Sequence, residues 1–165
     1  MGKRICLLDL NYTLVSNQLD TRTIRPFSAR LAAEEYRLDL LEKIKNDYVI
    51  IITARPAYQE KQTLDNILRK TGWQPHESYF NDIDADPPTF KRSALQRFIF
   101  PKHGNDGVTY YAVESNPRTR QMYSKYGIDA DPYDRFINPA GVAERKSKTG
   151  QSNQTSLFDQ KEGLK

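Results

Sequence analysis

Short apolar runs, each ending abruptly on a polar residue, set the pattern of this chain. Arg4-Ile5-Cys6-Leu7-Leu8 stops at Asp9, Tyr48-Val49-Ile50-Ile51-Ile52 stops at Thr53, and Val108-Thr109-Tyr110-Tyr111-Ala112-Val113 stops at Glu114. Runs of this kind predict buried parallel strands whose ends carry polar sites. Ser78-Tyr79-Phe80 and Arg135-Phe136-Ile137 are weaker strand candidates.

Between these runs the period becomes helical. Phe27, Leu31, Leu38, Leu41 and Ile44, with Glu34 as a polar exception in the same stripe, predict one helix over residues 26–46. Leu64, Ile67 and Leu68 share a face of a helix from Tyr58 to Thr71, with Gly72 as its stop. Leu95, Phe98 and Ile99 mark a helix over 91–100, and Pro117 opens another that closes before Gly127. Strands alternating with helices predict parallel βαβ units.

After Pro139 the period disappears. Glu144 to Asn153 is polar throughout, buries nothing, and predicts a flexible linker. The 165 residues, 38% of them hydrophobic, therefore suffice for one core domain over 1–139, followed by a tail over 140–165. No apolar run is long enough to span a membrane and the first residues do not resemble a signal peptide, so a soluble, cytoplasmic protein is expected. The single cysteine, Cys6, has no internal disulfide partner and fits a buried strand position. A formal charge of +4 suits an anionic substrate without being a nucleic-acid signature. His76 and His103 are too few for a zinc site.

The chemistry lies in where the polar residues fall. Ligands of open α/β sheets bind at the carboxyl ends of the strands. Asp9 and Glu114 supply carboxylates there, Thr53 a hydroxyl, and Lys91 an ammonium from a nearby helix start. Two close carboxylates repel unless a cation joins them, and Mg²⁺ prefers hard oxygen ligands. With a metal and a lysine neutralising a phosphoryl group, a carboxylate oxygen can attack phosphorus. Plainer roles remain open: Asp9 and Thr53 as strand-end caps, Lys91 as a surface lysine, Glu114 as a helix N-terminal acid.

Asp9-Leu10-Asn11-Tyr12-Thr13-Leu14 resembles the first motif of the haloacid dehalogenase-like superfamily. Ile50-Ile51-Ile52-Thr53-Ala54-Arg55-Pro56 resembles the second, Lys91 suits the third, and Ala112-Val113-Glu114-Ser115-Asn116-Pro117 resembles the fourth. The resemblance covers about residues 4–127. It implies a three-layer α/β/α sandwich with a mainly parallel Rossmann-like sheet, and a Mg²⁺-dependent phosphatase working through an aspartyl-phosphate. Asp9 is then the nucleophile; Asp9, the Asn11 carbonyl and Glu114 hold the metal. Thr13, Thr53, Arg55 and Lys91 bind phosphate or substrate.

Two departures bear on activity. Asn11 stands where the family's phosphatases usually place an acid, and an amide cannot transfer a proton. Glu114-Ser115 replaces a pair of acids, leaving fewer metal ligands. The short interval Leu14–Arg25 leaves room only for a modest flap, so no large cap is expected. An open crevice suits large substrates such as a nucleic-acid end or a phosphoprotein, and a nucleic-acid end or a nucleotide is the substrate expected. Arg22, Arg25, Arg55, Arg92 and Lys102 then stand near loops around the crevice, and Tyr12, Tyr58 and Trp73 are aromatic candidates for base stacking, although Trp73 after Gly72 fits a helix-end anchor in the core better.

In the tail, Gln154-Thr155-Ser156-Leu157-Phe158 strands an apolar pair among polar residues. It resembles the peptide with which replication and repair proteins bind the bacterial DNA sliding clamp (β-clamp). Gln154, Ser156, Leu157 and Phe158 are the contacts this implies, and DNA replication or repair is the implied setting. Two functions remain: a phosphatase recruited to DNA by the clamp, or a clamp-bound adaptor that kept the fold and lost acid–base chemistry at Asn11.

Overall fold

The computed structural model describes residues 4–17 and 25–141. Contacts divide the chain into two units, Met1–Tyr133 and Asp134–Lys165. In the second, only residues 134–141 are described, so the docking segment 154–158 lies outside the described residues, as do Arg22 and most of the interval expected to form a flap.

The first unit is an α/β/α sandwich around five strands, β1 (Ile5–Leu8), β2 (Tyr48–Pro56), β3 (Glu77–Asn81), β4 (Tyr110–Val113) and β5 (Asp129–Asp131). Every pairing among them is parallel, in the order β3-β2-β1-β4-β5. Leu7 pairs with Ile50 on one side and Ala112 on the other, which makes β1 the central strand. Its four residues are all buried, as expected for a strand covered on both faces. The chain runs outward from β1 through β2 to β3, then returns across the sheet to β4. The order reverses between β1 and β4, so their carboxyl ends flank the natural ligand crevice.

Alternation assigns the side chains to the two layers. Ile5, Leu7, Ile50, Ile52, Tyr110 and Ala112 pack with Phe90, Ala94, Leu95 and Ile99 and with Met122 and Tyr123. These come from α4 (Pro87–Ala94), the helical turn Leu95–Ile99, and α6 (Pro117–Ser124). Cys6, Leu8, Val49, Ile51, Tyr111 and Val113 take the opposite face and are equally buried. Burial pushes the Cys6 thiol up to about 12, which leaves it a packing residue.

Several elements depart from the sequence pattern. The expected helix over 26–46 is two helices, α1 (Phe27–Ala33) and α2 (Leu38–Ile44). Between them Tyr36 forms an antiparallel bridge with Val15. Ser16 N donates to Glu35 O at 2.8 Å, and Arg37 N donates to Leu14 O at 2.9 Å. Glu34, the polar exception in the stripe, marks the break.

The helix expected over 91–100 starts earlier, at Pro87, and continues through α5 (Phe100–His103) to Gly104. Lys91 therefore sits a turn inside α4 rather than at a helix start. The weak strand candidate at 135–137 is instead part of α7 (Tyr133–Ile137), and the fifth strand is the polar Asp129-Ala130-Asp131. An edge strand pairs through its backbone on one side and needs little apolar surface, so its sequence carried no hydrophobic signal. The helix α3 (Glu60–Thr71) ends as expected at Gly72, whose φ of 73° takes the left-handed cap. Trp73 is half-buried and lies outside the core.

Gly107, buried just before β4, packs against the chain entering β5. A Cβ placed there would lie 2.2 Å from the Tyr126 carbonyl oxygen. Backbone cannot yield as a flexible side chain does, so Gly107→Ala should destabilise the domain by about 2 kcal/mol or more. A denaturant titration showing an unchanged midpoint would refute that packing.

Candidate active site

Strand ends create the site. Asp9 follows β1, Glu114 follows β4, Thr53 lies within β2, and Lys91 reaches across from α4. Asp9, Asn11, Thr53, Lys91, Glu114 and Ser115 line one crevice of about 400 Å³.

The ammonium of Lys91 lies 2.8 Å from Asp9 Oδ1 and 2.6 Å from Glu114 Oε2. All three side chains are almost wholly buried. Burial alone acts to lower the lysine's pKa, but the two carboxylates prevail and hold it above its ordinary value. Two acids to one lysine leave one negative charge uncompensated in the cluster. Burial pushes the Glu114 carboxyl up to about 7, with Asp9 adding to the shift and Lys91 opposing it.

Asp9 is held on its other oxygen as well. Thr13 Oγ1 donates to Asp9 Oδ2 at 3.0 Å, and Ser115 Oγ lies 2.9 Å from the same atom. Ser115 Oγ is also 3.2 Å from the Asn11 carbonyl, and its single proton serves one acceptor at a time. Thr13, expected beside the phosphate, is fully buried, and its hydroxyl bonds to Asp9. Thr53 Oγ1 accepts from Arg55 N at 3.2 Å, which leaves the hydroxyl proton for another acceptor.

The turn that carries Asn11 has an unusual backbone. Tyr12 adopts φ 65°, a left-handed conformation that a bulky residue rarely takes. Backbone strain of this kind concentrates at functional loops.

Arg55 was expected among loop cations facing substrate. Instead its side chain is 7% exposed and forms an ion pair with Glu34. Its Nε and Nη2 donate to Asn11 Oδ1 at 3.1 and 2.9 Å, and Nη1 donates to Thr63 Oγ1 at 3.3 Å. A guanidinium only donates, so the Asn11 atom it meets is the oxygen. The amide nitrogen is thereby left to donate elsewhere. Glu34 is fixed in turn by the Tyr36 hydroxyl at 3.1 Å.

Two of the other expected cations, Arg92 and Lys102, lie apart from the crevice. Arg92 lines a separate surface pocket with Arg118 and Lys125. Lys102 and His103 pair with Glu77, which opens β3 at the opposite end of the sheet, so His103 is remote from Asp9.

Sequence reading missed Ser115 as a partner of Asp9, Glu34 as a partner of Arg55, and Arg120. Arg120 Nη1 donates to the Glu114 and Ser115 carbonyls at 3.0 and 2.8 Å, closing the loop from outside. Only Glu34 left a signal, as a charge in an apolar stripe.

The architecture is Rossmann-like, with a carboxylate–lysine cluster at the point where strand order reverses. No family model matches the chain, and no curated protein matches it. Among solved structures, a hypothetical protein from Xanthomonas campestris is similar at 16% identity, with a TM-score of 0.46. The match covers 78% of this chain and 63% of that one. A Rossmann-like fold is consistent with a hydrolase, but function has to be argued from the site.

The charge imbalance has a thermodynamic consequence. Glu114 binds its proton more tightly folded, near 7, than at its ordinary 4.5. Its contribution to stability is therefore full below pH 4.5 and is lost as pH rises through 7. In chelator, the melting temperature should fall across that window, reflecting on the order of a few kcal/mol. In Glu114→Gln the slope should flatten. An equal slope in both proteins would assign the titration to another group.

Proposed function

We propose that this chain is a Mg²⁺-dependent phosphomonoesterase of the haloacid dehalogenase-like class, acting on a phosphorylated nucleic-acid end or nucleotide. The observation that carries the reading is the meeting of Asp9, Lys91 and Glu114 at the sheet's switch point. They bring a nucleophilic carboxylate, a cation and a second carboxylate within one buried cluster. Thr53 on the same crevice is available to donate to a phosphoryl oxygen.

The donor set fits a hard divalent cation. Asp9, Glu114 and the Asn11 carbonyl offer oxygen ligands and an uncompensated negative charge. Among the described residues no group of three acidic, histidine or cysteine side chains gathers, so the ion would keep several waters, as Mg²⁺ commonly does. When bound, it supplies charge neutralisation for the phosphoryl oxygens.

An Asp9 oxygen attacks phosphorus, the ester oxygen leaves with the bond's electrons, and water protonates it. Water then attacks the aspartyl-phosphate, releasing phosphate and restoring the carboxylate. Lys91 and Thr53 hold the transferring group, and Ser115 and Thr13 orient Asp9. The Asn11 amide, turned by Arg55, donates a hydrogen bond but no proton. This last feature favours a second reading, a domain that binds phosphate with little turnover.

The purified protein should release phosphate from a 3′-phosphorylated oligonucleotide, and Asp9→Asn should abolish release. In Asn11→Asp, Arg55 would hold the new carboxylate ionised, a base rather than an acid. Breakdown of the phosphoenzyme should then quicken by about 10²-fold or more, with less change in its formation. Single-turnover kinetics separate the two steps. Undiminished release by Asp9→Asn would end the assignment; no release from any phosphate ester would leave the binding domain.

Recruitment to DNA through Gln154, Ser156, Leu157 and Phe158 rests on the sequence of the tail. Replacing Leu157 and Phe158 with Ala should remove binding to a bacterial sliding clamp; retained affinity would exclude this docking mode.

A further inference from the structure

Beside the crevice lies a second cavity of about 330 Å³, sharing Asn11, Tyr12 and Ala54 with it as common wall. A group bound in one therefore lies next to a group bound in the other. Of the second cavity's remaining residues, only Arg55 and its partner Glu34 bear on the Asp9 crevice.

Gln59 is the decisive side chain there. It is 8% exposed and lines this cavity, yet its amide forms no hydrogen bond to any described residue. Among the described residues only the Thr119 hydroxyl is both shut off from solvent and unpartnered, so the Gln59 amide opens onto the cavity and can meet a ligand there. A primary amide offers a donor and an acceptor side by side in one plane, the complement of a heterocycle's edge.

The rest of the wall is consistent with that ligand. Phe27 contributes a partly buried ring, with the Arg30 guanidinium 5.1 Å from its centroid. No carboxylate pairs with Arg30 among the described residues. The ion pair of Arg55 with Glu34 leaves that wall close to neutral, so Arg30 supplies the net positive charge. The volume lies at the lower end of small-ligand pockets.

We infer that this cavity receives the nucleobase of a phosphorylated nucleotide whose phosphate occupies the Asp9 crevice, with Gln59 reading the base edge and Phe27 supporting its face. The inference rests on the phosphomonoesterase reading for the placement of the phosphate, and it narrows the substrate to esters that carry a base.

The test is calorimetric titration of the full-length protein, with Ca²⁺ in place of Mg²⁺ to hold the phosphate without turnover, against deoxynucleoside 3′-monophosphates, glycerol 3-phosphate and inorganic phosphate. Nucleotides should bind at least about tenfold more tightly than glycerol 3-phosphate, the margin expected of one stacked and hydrogen-bonded base. Gln59→Leu, which keeps the volume and removes the amide, should erase most of that margin, and Phe27→Ala should reduce it. Equal affinity for nucleotide and glycerol phosphate in the unaltered protein would overturn the inference, as would a margin that survives Gln59→Leu. The two readings fail separately. A nucleotide margin without phosphate release would count only against hydrolysis. Phosphate release without the margin would count only against the base pocket.

Discussion

Two buried carboxylates sharing one buried lysine form the interaction on which this structure turns. Asp9 and Glu114 end adjacent parallel strands, and the backbone pairing of β1 with β4 fixes them close together whatever their charges prefer. Lys91 relieves the repulsion only in part. Removing one member of such a cluster exposes an uncompensated buried charge, so the arrangement is expensive to hold for packing alone. A site that must hold a divalent cation gains from that imbalance, because the ion completes it.

Around this cluster, polar side chains act in sequence. Glu34 and Thr63 fix Arg55, Arg55 turns the Asn11 amide, and the Asn11 carbonyl lies against Ser115, which also reaches Asp9. The extended segment Glu34–Arg37 belongs to the same construction. By pairing with Leu14–Ser16 it braces the turn that carries Asn11 and Tyr12. The interruption of the long helix is thus tied to the geometry of the crevice.

Much of the crevice rim was legible because a buried parallel strand writes itself as an apolar run, and the residue that ends it stands at the sheet's edge. Asp9, Thr53 and Glu114 each follow or close such a run. Lys91 was legible from motif spacing, but its depth in α4 was not, because the helix begins with prolines ahead of any apolar period. The α1–α2 break and the Arg55 network were hidden for another reason. Both depend on pairings between segments far apart in sequence, and hydrophobic spacing records only local period. Strand β5 escaped because its backbone, not its side chains, joins the sheet.

The central claim is that Asp9 carries the phosphoryl group during turnover. Asn11 supplies neither a general acid nor a general base, so on this reading both formation and breakdown of that intermediate go unassisted. Acid quenching during turnover of a 3′-phosphorylated oligonucleotide, followed by peptide mapping, tests this directly. The account predicts a hydroxylamine-labile phosphoryl group on Asp9; phosphate release with Asp9 unmodified, or with the label on another residue, would contradict it.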